Sequence, residues 1–263
     1  MVERCTQVAN PKRSDEIRSE KVKAIEAQLK QNPKSAELLM ELGLALSEQK
    51  LFREAVEAYS KAIALEPFCG ILYRHRGHRH ISCWEYEEAV ADFVVASRLI
   101  PENWDVWYHL GLSYYLLGNY AEAEKAYKRC YEITDRGTDN FCAITDWYWR
   151  TLIRIGKKEE ADKLIETIDP TMDPELDWVG YSRNVLMYRG VIKPEDLIKG
   201  RMTQDQLSAP TMCYCLSNYY AVMGDMEKSN ETLKLLLDFC DAEWWSAFGY
   251  LAGREDAKAR GLL

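Results

Sequence analysis

Small and apolar residues return along this chain at a fixed interval of 34 residues. Glycine, alanine, an aromatic residue and proline each keep that step. A helix pair of this length cannot bury its apolar face alone and must stack on its neighbours, so the period predicts consecutive helix–turn–helix repeats. The periodic positions are Gly43, Gly77 and Gly111; Ala55, Ala89 and Ala123; Tyr59, Phe93 and Tyr127; and Pro33, Pro67 and Pro101.

Each residue type in the period has a structural role. Glycine and alanine let helices approach closely, the aromatic rings fill the space beside them, and proline ends a repeat because it cannot continue a helix. We expect repeats to begin near Ala36, Gly70 and Trp104. After a slip of four residues at 138–141 the step resumes, with repeats beginning near Cys142, Leu176 and Pro210 and turns at Gly156, Gly190 and Gly224.

The two ends of the chain carry incomplete repeats. Residues 14–30 are predicted to form the second helix of a half-repeat, with Ser14 as N-cap and Asp15 and Glu16 in the first turn. At the other end we expect a helical segment over 244–252, a turn at Gly253 and a charged capping tail. The predicted organisation is one domain over 1–263, with a half-repeat at 14–33, three regular repeats at 36–137, three degenerate repeats at 142–243 and a cap at 244–263.

Two positions break the pattern. In the repeat from Leu176, Pro194 can start a helix but Gly200 interrupts it, so the second helix is predicted to be broken. Trp84 stands where other repeats have Gly118, Gly156 and Gly224. Because that turn position needs positive φ, which disfavours tryptophan, we expect a different turn there.

The period and residue types resemble the tetratricopeptide repeat, which implies an all-α, right-handed superhelical solenoid of about six repeats plus terminal capping helices. The resemblance extends over about 37–260 to a group of bacterial tetratricopeptide proteins without a settled activity. The peptide-clamp subfamily grips a terminal carboxylate with Lys and Asn at set positions, where this chain has Met40 and Leu44. The segments that carry the bacterial resemblance are YRHRGHRHIS, WYHLGLSYYLLGNYAEAEKAYKRC, DWYWRTLIRIGKKEEA, LMYRGVIKPEDL and WSAFGYLAGRE.

Composition narrows the function classes. The chain has 34 basic and 42 acidic residues, a formal charge of −8, which disfavours nucleic acid as the main partner. No apolar run is long enough to span a bilayer, and the first ten residues lack a secretory signal, so we expect a cytoplasmic protein with no membrane partner. The eight cysteines show no paired framework and fit reduced, mostly buried thiols. Neither a cofactor nor a metal site is predicted.

One predicted helix departs from the acidic balance. The stretch from Tyr73 to Ser82 holds three arginines and three of the four histidines. Its repeat frame places Arg76 and His80 toward the core, where we expect Arg76 to pair with Glu88 or Asp92 on the following helix. Arg74, His75 and His78 fall on the face that lines the concave groove in the resembling family.

Carrying this frame along the chain predicts a polar, aromatic and locally basic groove. Such a lining favours an acidic or extended polar peptide or protein segment. Asn184 and Asn218 hold equivalent positions and could bond a passing peptide backbone, or could simply be solvated. The predicted partner-binding residues are Arg74, His75, His78, Tyr108, His109, Asp146, Trp147, Arg150, Arg154, Asn184, Tyr214 and Asn218.

An alternative function uses the same groove. Asp146, Arg150, His75 and His109 could converge as a small-molecule or anion site, or as an acid–base site of an enzyme. No catalytic motif appears, so no catalytic residue is assigned. We therefore predict a protein–protein interaction scaffold rather than an enzyme, with this alternative left open.

Overall fold

The computed structural model describes residues 18–136, 138–202, 207–240 and 244–263. Within those ranges the chain forms fourteen α-helices and no strand, which confirms the all-α class. The chain divides into two compact units, Met1–Ser113 and Tyr114–Leu263, called here the N-terminal and C-terminal units. None of the described helices has the length and apolarity needed to cross a bilayer.

Helices of similar length follow one another through short turns in the N-terminal unit. The three regular repeats begin where the sequence predicts, at Ala36, Gly70 and Trp104. Helix α6 starts in this unit and ends just beyond it. The bounds are α1 Glu20–Gln31, α2 Ala36–Glu48, α3 Phe52–Leu65, α4 Gly70–Ser82, α5 Tyr86–Leu99 and α6 Trp104–Leu116.

Glycines and aromatic rings meet between the paired helices. A Cβ placed on Gly43 would lie 2.4 Å from Cε1 of Tyr59, and one on Gly77 would lie 2.9 Å from Cε2 of Phe93. At these distances the rings would have to move, so glycine allows the helices and rings to pack this closely. The structure confirms the role predicted for the periodic small residues.

The helix predicted over 14–30 is described from Glu20 onward. Ser14, Asp15 and Glu16 lie outside the described residues. The described helix α1 starts at Glu20, and Ser19 is its N-cap, with Oγ accepting a hydrogen bond of 3.2 Å from the backbone N–H of Val22.

The turn at Trp84 does not differ from its equivalents, contrary to expectation. Lys50, Trp84 and Gly118 hold the same repeat position and have φ values of 58°, 64° and 74°. The same hydrogen bonds recur: the N–H of residue 84 bonds the carbonyl of Ile81 at 2.9 Å, and that of Gly118 bonds Tyr115 at 2.9 Å. The helix-end hydrogen bonds fix this left-handed backbone, at a cost of about 1 kcal/mol or more for a residue other than glycine.

The C-terminal unit has less regular helices. Helix α9 has nine residues and α11 has four, whereas α8 has sixteen. Turn glycines Gly156, Gly190 and Gly224 all have positive φ, as the pattern predicts. The bounds are α7 Tyr120–Ile133, α8 Asp139–Arg154, α9 Lys158–Glu166, α10 Tyr181–Tyr188, α11 Pro194–Leu197, α12 Ser208–Val222, α13 Met226–Cys240 and α14 Phe248–Ala259.

The repeat predicted to begin near Leu176 starts its first helix at Tyr181 instead. Asp177 decides this boundary, because its carboxylate accepts hydrogen bonds from the backbone N–H groups of Gly180 at 2.6 Å, Tyr181 at 3.0 Å and Ser182 at 2.6 Å. A carboxylate that satisfies the free N–H groups of a first turn stabilises a helix start at that point.

The second helix of this repeat is broken, as predicted. Pro194 opens α11, which ends at Leu197, and Gly200 adopts positive φ three residues later. The turn predicted at Gly253 is wrong, because α14 continues through it to Ala259. A Cβ at Gly253 would lie 2.4 Å from Cδ2 of Leu236, so this glycine serves close helix packing rather than a turn.

Candidate functional site

The twelve predicted groove residues divide between the two units. Five lie on α4 and α6 in the N-terminal unit, and seven lie on α8, α10 and α12 in the C-terminal unit. Half-buried side chains are Arg74, His75, His78 and Arg154. The expectation of an open surface is wrong at the other eight, which are buried: Tyr108, His109, Asp146, Trp147, Arg150, Asn184, Tyr214 and Asn218.

A chain of polar contacts joins α4 to α6 in the N-terminal unit. Asp105 accepts a hydrogen bond from Nε of Arg74. Nδ1 of His109 lies 2.8 Å from the Asp105 carbonyl oxygen and 3.3 Å from its carboxylate, and Nη1 of Arg74 lies 3.2 Å from Nδ1 of His75. Burial works to raise the pKa of Asp105, but His109 and Arg74 outweigh it and leave that pKa well below its usual range. Asp105 is therefore the anionic centre of this network.

Two imidazoles of α4 are kept neutral by their surroundings. His75 stacks on Tyr59 with ring centroids 5.5 Å apart, and the ring of His78 lies 4.6 Å from that of His109. Burial first, and then Arg74 and Arg79, lower the pKa of His75 to about 4. Burial and the same cations hold the pKa of His78 well below its ordinary value. At neutral pH the positive charge of this face comes from arginine.

Arg79 belongs to this cluster, although it is not among the residues predicted from the sequence. Its guanidinium lies 4.8 Å from the ring centroid of Phe52, and burial lowers its pKa to about 10. A signal was present in the sequence: Arg79 holds the repeat position of Ala45 and Ser113, both buried. A large cation at a position that holds a small residue in other repeats indicates that this repeat has a different, more basic face.

Arg76 forms the ion pair predicted for it. Its Nε and Nη2 donate to the two carboxylate oxygens of Asp92 at 2.8 and 2.6 Å, and Nη1 donates to Oγ of Ser60 at 3.0 Å. His80 lies 2.9 Å from Glu85 through Nδ1. The assignment of Arg76 and His80 to a structural face is confirmed, and of the two predicted acids Asp92 is the partner.

This difference in surroundings predicts unequal effects of two arginine truncations. Arg76→Ala should lower the free energy of unfolding by about 2 kcal/mol, because it leaves the carboxylate of Asp92, 4% exposed, without its bidentate donor. Arg74→Ala should cost about 1 kcal/mol or less, since Asp105 keeps His109. Urea unfolding followed by circular dichroism measures both, and equal losses would contradict the assignment of faces.

The C-terminal unit holds a buried ion pair. Arg150 and Asp146 lie one helical turn apart on α8 and are 1% and 0% exposed. Nη2 of Arg150 donates to Asp146 Oδ2, and Nε lies 3.3 Å from the hydroxyl of Tyr188. The guanidinium carbon is 4.6 Å from the Trp147 ring and 4.9 Å from the Tyr214 ring. Aromatic packing around this pair explains why Arg150 is not on an open face.

Arg154 connects α8, α12 and α14. Its Nη2 donates to the carboxylate of Asp256 and, at 3.1 Å, to Oδ1 of Asn218. Nε lies 3.3 Å from the hydroxyl of Tyr115, which is 2.9 Å from that of Tyr214. These contacts assign Arg154, Asn218 and Tyr214 to a network that joins helices within the unit.

The clusters offer binding chemistry more than catalytic chemistry. Asp146 and Arg150 engage each other in the core, so the acid–base role of the alternative hypothesis has no accessible group there. Among the described residues no group of three or more His, Cys, Asp or Glu side chains could hold a metal ion. Of the twelve predicted groove residues, those that are not buried are Arg74, His75 and His78 on α4 and Arg154 on α8.

Comparisons with known proteins agree with the repeat architecture. Residues 22–68 and 104–136 match family models described as tetratricopeptide repeat. Anaphase-promoting complex subunit 3 of Schizosaccharomyces pombe is 31% identical over 105 residues, which are 40% of this chain and 16% of that protein. The chain therefore spans well under two-thirds of this relative.

Solved structures share the fold. MamA superposes with a TM-score of 0.52 at 20% identity, covering 65% of this chain and 90% of its own. YrrB, described as a TPR protein with an unusual peptide-binding site, gives a TM-score of 0.50 at 18% identity, covering 89% of this chain and 98% of its own.

Fold and matches together define the class, an all-α protein built of consecutive helix pairs over its described residues. The segments 22–68 and 104–136 are similar to the tetratricopeptide repeat. The likeness to a bacterial group stays a prediction.

Proposed function

We propose that this protein binds an extended acidic or polar segment of a partner protein, and that α4 supplies the basic part of the binding face. The observation that supports this proposal is the excess of positive charge on α4, in a chain whose formal charge is −8. Arg74, His75 and His78 are half-buried, so part of each residue is exposed to a ligand.

The equivalent face of α2 gives the partner a second chemical requirement. Met40 and Leu44 hold the repeat positions of Arg74 and His78, and Leu44 is 37% exposed. Apolar and basic positions thus follow one another across adjacent first helices of the N-terminal unit. A segment that alternates acidic and apolar side chains would complement both.

The relatives support a protein or peptide ligand. Anaphase-promoting complex subunit 3 is by its name a component of a protein complex, and YrrB is described as having a peptide-binding site. The kind of partner proposed for the present chain follows from the charge and polarity of α4, and not from the partners of those proteins. A reducing compartment such as the cytoplasm is also proposed, because the six described free cysteines include five buried thiols.

The test compares two fluorescent peptides of equal length that share apolar residues and differ in charge, one acidic and one lysine-rich. The acidic peptide should bind the full chain at least about tenfold more tightly, with affinity falling as salt rises. Arg74→Ala should weaken binding of the acidic peptide by about tenfold. Lys61→Ala, an exposed cation on α3, is the control and should bind as wild type does.

Two results would overturn the proposal. One is equal affinity of the wild type for both peptides. The other is an Arg74→Ala variant that keeps full affinity while its circular dichroism spectrum matches that of the wild type.

A further inference from the structure

We propose that Arg79 and the Nε2–H of His75 form an oxyanion subsite on α4, which takes one carboxylate or phosphate group from the partner. This inference rests on the proposed function and names a contact within it. The two residues are one helical turn apart on the same helix, which places them as neighbours on one face.

Arg79 differs from the other two arginines of its helix. Arg74 donates to Asp105 and Arg76 to Asp92. The guanidinium of Arg79 lies over the Phe52 ring and makes no side-chain hydrogen bond or ion pair with residues 18–136, 138–202, 207–240 and 244–263. A guanidinium carries five N–H donors and no acceptor, and a partly buried one gains most from a bidentate anion.

His75 supplies a second donor without needing to be charged. Its Nδ1 faces Nη1 of Arg74 at 3.2 Å, and because a guanidinium can only donate, this nitrogen must accept. The ring proton of the neutral imidazole therefore sits on Nε2. Within the described part of the chain, Nε2–H has no hydrogen-bond acceptor, so His75 and Arg79 both present donors to the same surroundings.

Three carboxylates on or beside the neighbouring helices α3 and α5 already have partners. On α3, Glu54 pairs with Arg18, and at the start of α5, Glu85 pairs with Arg53 and His80. On α5 itself, Asp92 pairs with Arg76.

The remaining charged and titratable groups around the subsite lie on α3, α4 and α6. Asp105 on α6 pairs with Arg74 and His109. His78 and His109 face each other across α4 and α6, and Tyr59 of α3 lies under the His75 ring. None of these acids pairs with Arg79. The acid that complements Arg79 is therefore supplied by a ligand.

The hydrogen-bonding state of His75 predicts how binding depends on pH. The pKa of His75 is about 4, so the donor set stays unchanged throughout the neutral range. Affinity for a carboxylate ligand should vary less than about twofold between about pH 5.5 and pH 8. A site that needed a charged imidazole would instead weaken steeply as pH rises through the ordinary pKa of histidine.

The experiment is a two-dimensional NMR titration of the imidazole and guanidinium signals of the full chain. The probes are N-acetyl-aspartate amide, inorganic phosphate and the acidic peptide described above. Either small probe should shift the signals of His75 and Arg79 in the wild type and leave the His75 signal unshifted in Arg79→Gln. A response to the carboxylate probe assigns an acidic side chain, and a response to phosphate alone assigns a phosphoryl group.

The variants separate this subsite from the wider function. Arg79→Gln should lower acidic-peptide affinity about tenfold while its melting temperature matches the wild type, because no ion pair is lost; Arg79→Lys should retain part of the affinity. If Arg79→Gln keeps full affinity, the subsite is wrong and the basic face stands. If wild type shifts with the small probes but does not prefer the acidic peptide, the subsite stands and the proposed function fails. Failure of both small probes to shift His75 and Arg79 overturns the subsite.

Discussion

Replacement of Arg150 by methionine should lower the free energy of unfolding by about 3–5 kcal/mol, the range found when one partner of a buried ion pair is removed. Methionine fills a similar volume between Trp147 and Tyr214, so the loss comes from the carboxylate of Asp146 left in a site that is 0% exposed. The side-chain amide of Asn184, 3.4 Å from Asp146 Oδ2, is a weak replacement. Urea unfolding monitored by tryptophan fluorescence measures the change.

The pH dependence of the same variant provides a check. Burial already works to raise the pKa of Asp146 against the opposing charge of Arg150. Burial outweighs Arg150, so the pKa of Asp146 is already raised in the wild type, and without Arg150 it should rise further. The variant should therefore gain stability relative to wild type as pH falls toward that raised pKa.

A double variant provides the control for charge burial. Arg150→Met with Asp146→Leu removes both charges and should recover most of the loss. If Arg150→Met alone costs under about 1 kcal/mol, the pair is solvated and the buried-pair description is wrong.

Gly249→Ala should destabilise the C-terminal unit by about 3 kcal/mol or more, although alanine is the better helix former by about 1 kcal/mol. A Cβ at this position would lie 2.2 Å from the carbonyl oxygen of Pro210 and 2.7 Å from its carbonyl carbon. Those are backbone atoms of α12, so relief requires α14 to move away as a whole.

Gly253→Ala in the same helix is the matched control. Its nearest atom, 2.4 Å away, is Cδ2 at the end of the Leu236 side chain, which can rotate. We expect it to cost less than Gly249→Ala in thermal unfolding by circular dichroism. The reverse order, or a stabilised Gly249→Ala, would show that helix propensity outweighs packing here.

The periodic part of the fold could be predicted from the sequence because its causes are local. Gly43 and Gly77 mark helix contacts, and the structure places Tyr59 and Phe93 against them. Arg76 could be assigned a partner acid, because one repeat frame fixes both its own face and that of Asp92 on the next helix.

Features that depend on other segments could not be predicted in the same way. The start of α10 is set by Asp177, which acts through three backbone bonds and has no periodic signature. From the sequence alone Gly253 is predicted to form a turn, because the contact that explains this glycine, with Leu236, comes from another helix.

Burial of the candidate site was the largest difference from expectation. The repeat frame predicts Arg150, Asn184 and Tyr214 on one face, and in the structure α8, α10 and α12 bring them together. It could not show that aromatic rings from the neighbouring helices would cover them. Arg79 could not be predicted because the frame relies on positions where the repeats share a residue type. Arg79 stands where the other repeats have a small residue.

The left-handed turn at Trp84 has a consequence for how this protein could acquire new specificity. Its backbone path is the same whether lysine, tryptophan or glycine occupies the position. Hydrogen bonds at the helix end therefore hold the geometry of α4 and α5 while their side chains diverge. The two family matches, 22–68 and 104–136, leave this repeat unmatched, and it is the one with the arginines and histidines of α4. In such an array, the side chains of a repeat with a fixed backbone path can change, and recognition with them, without cost to the architecture.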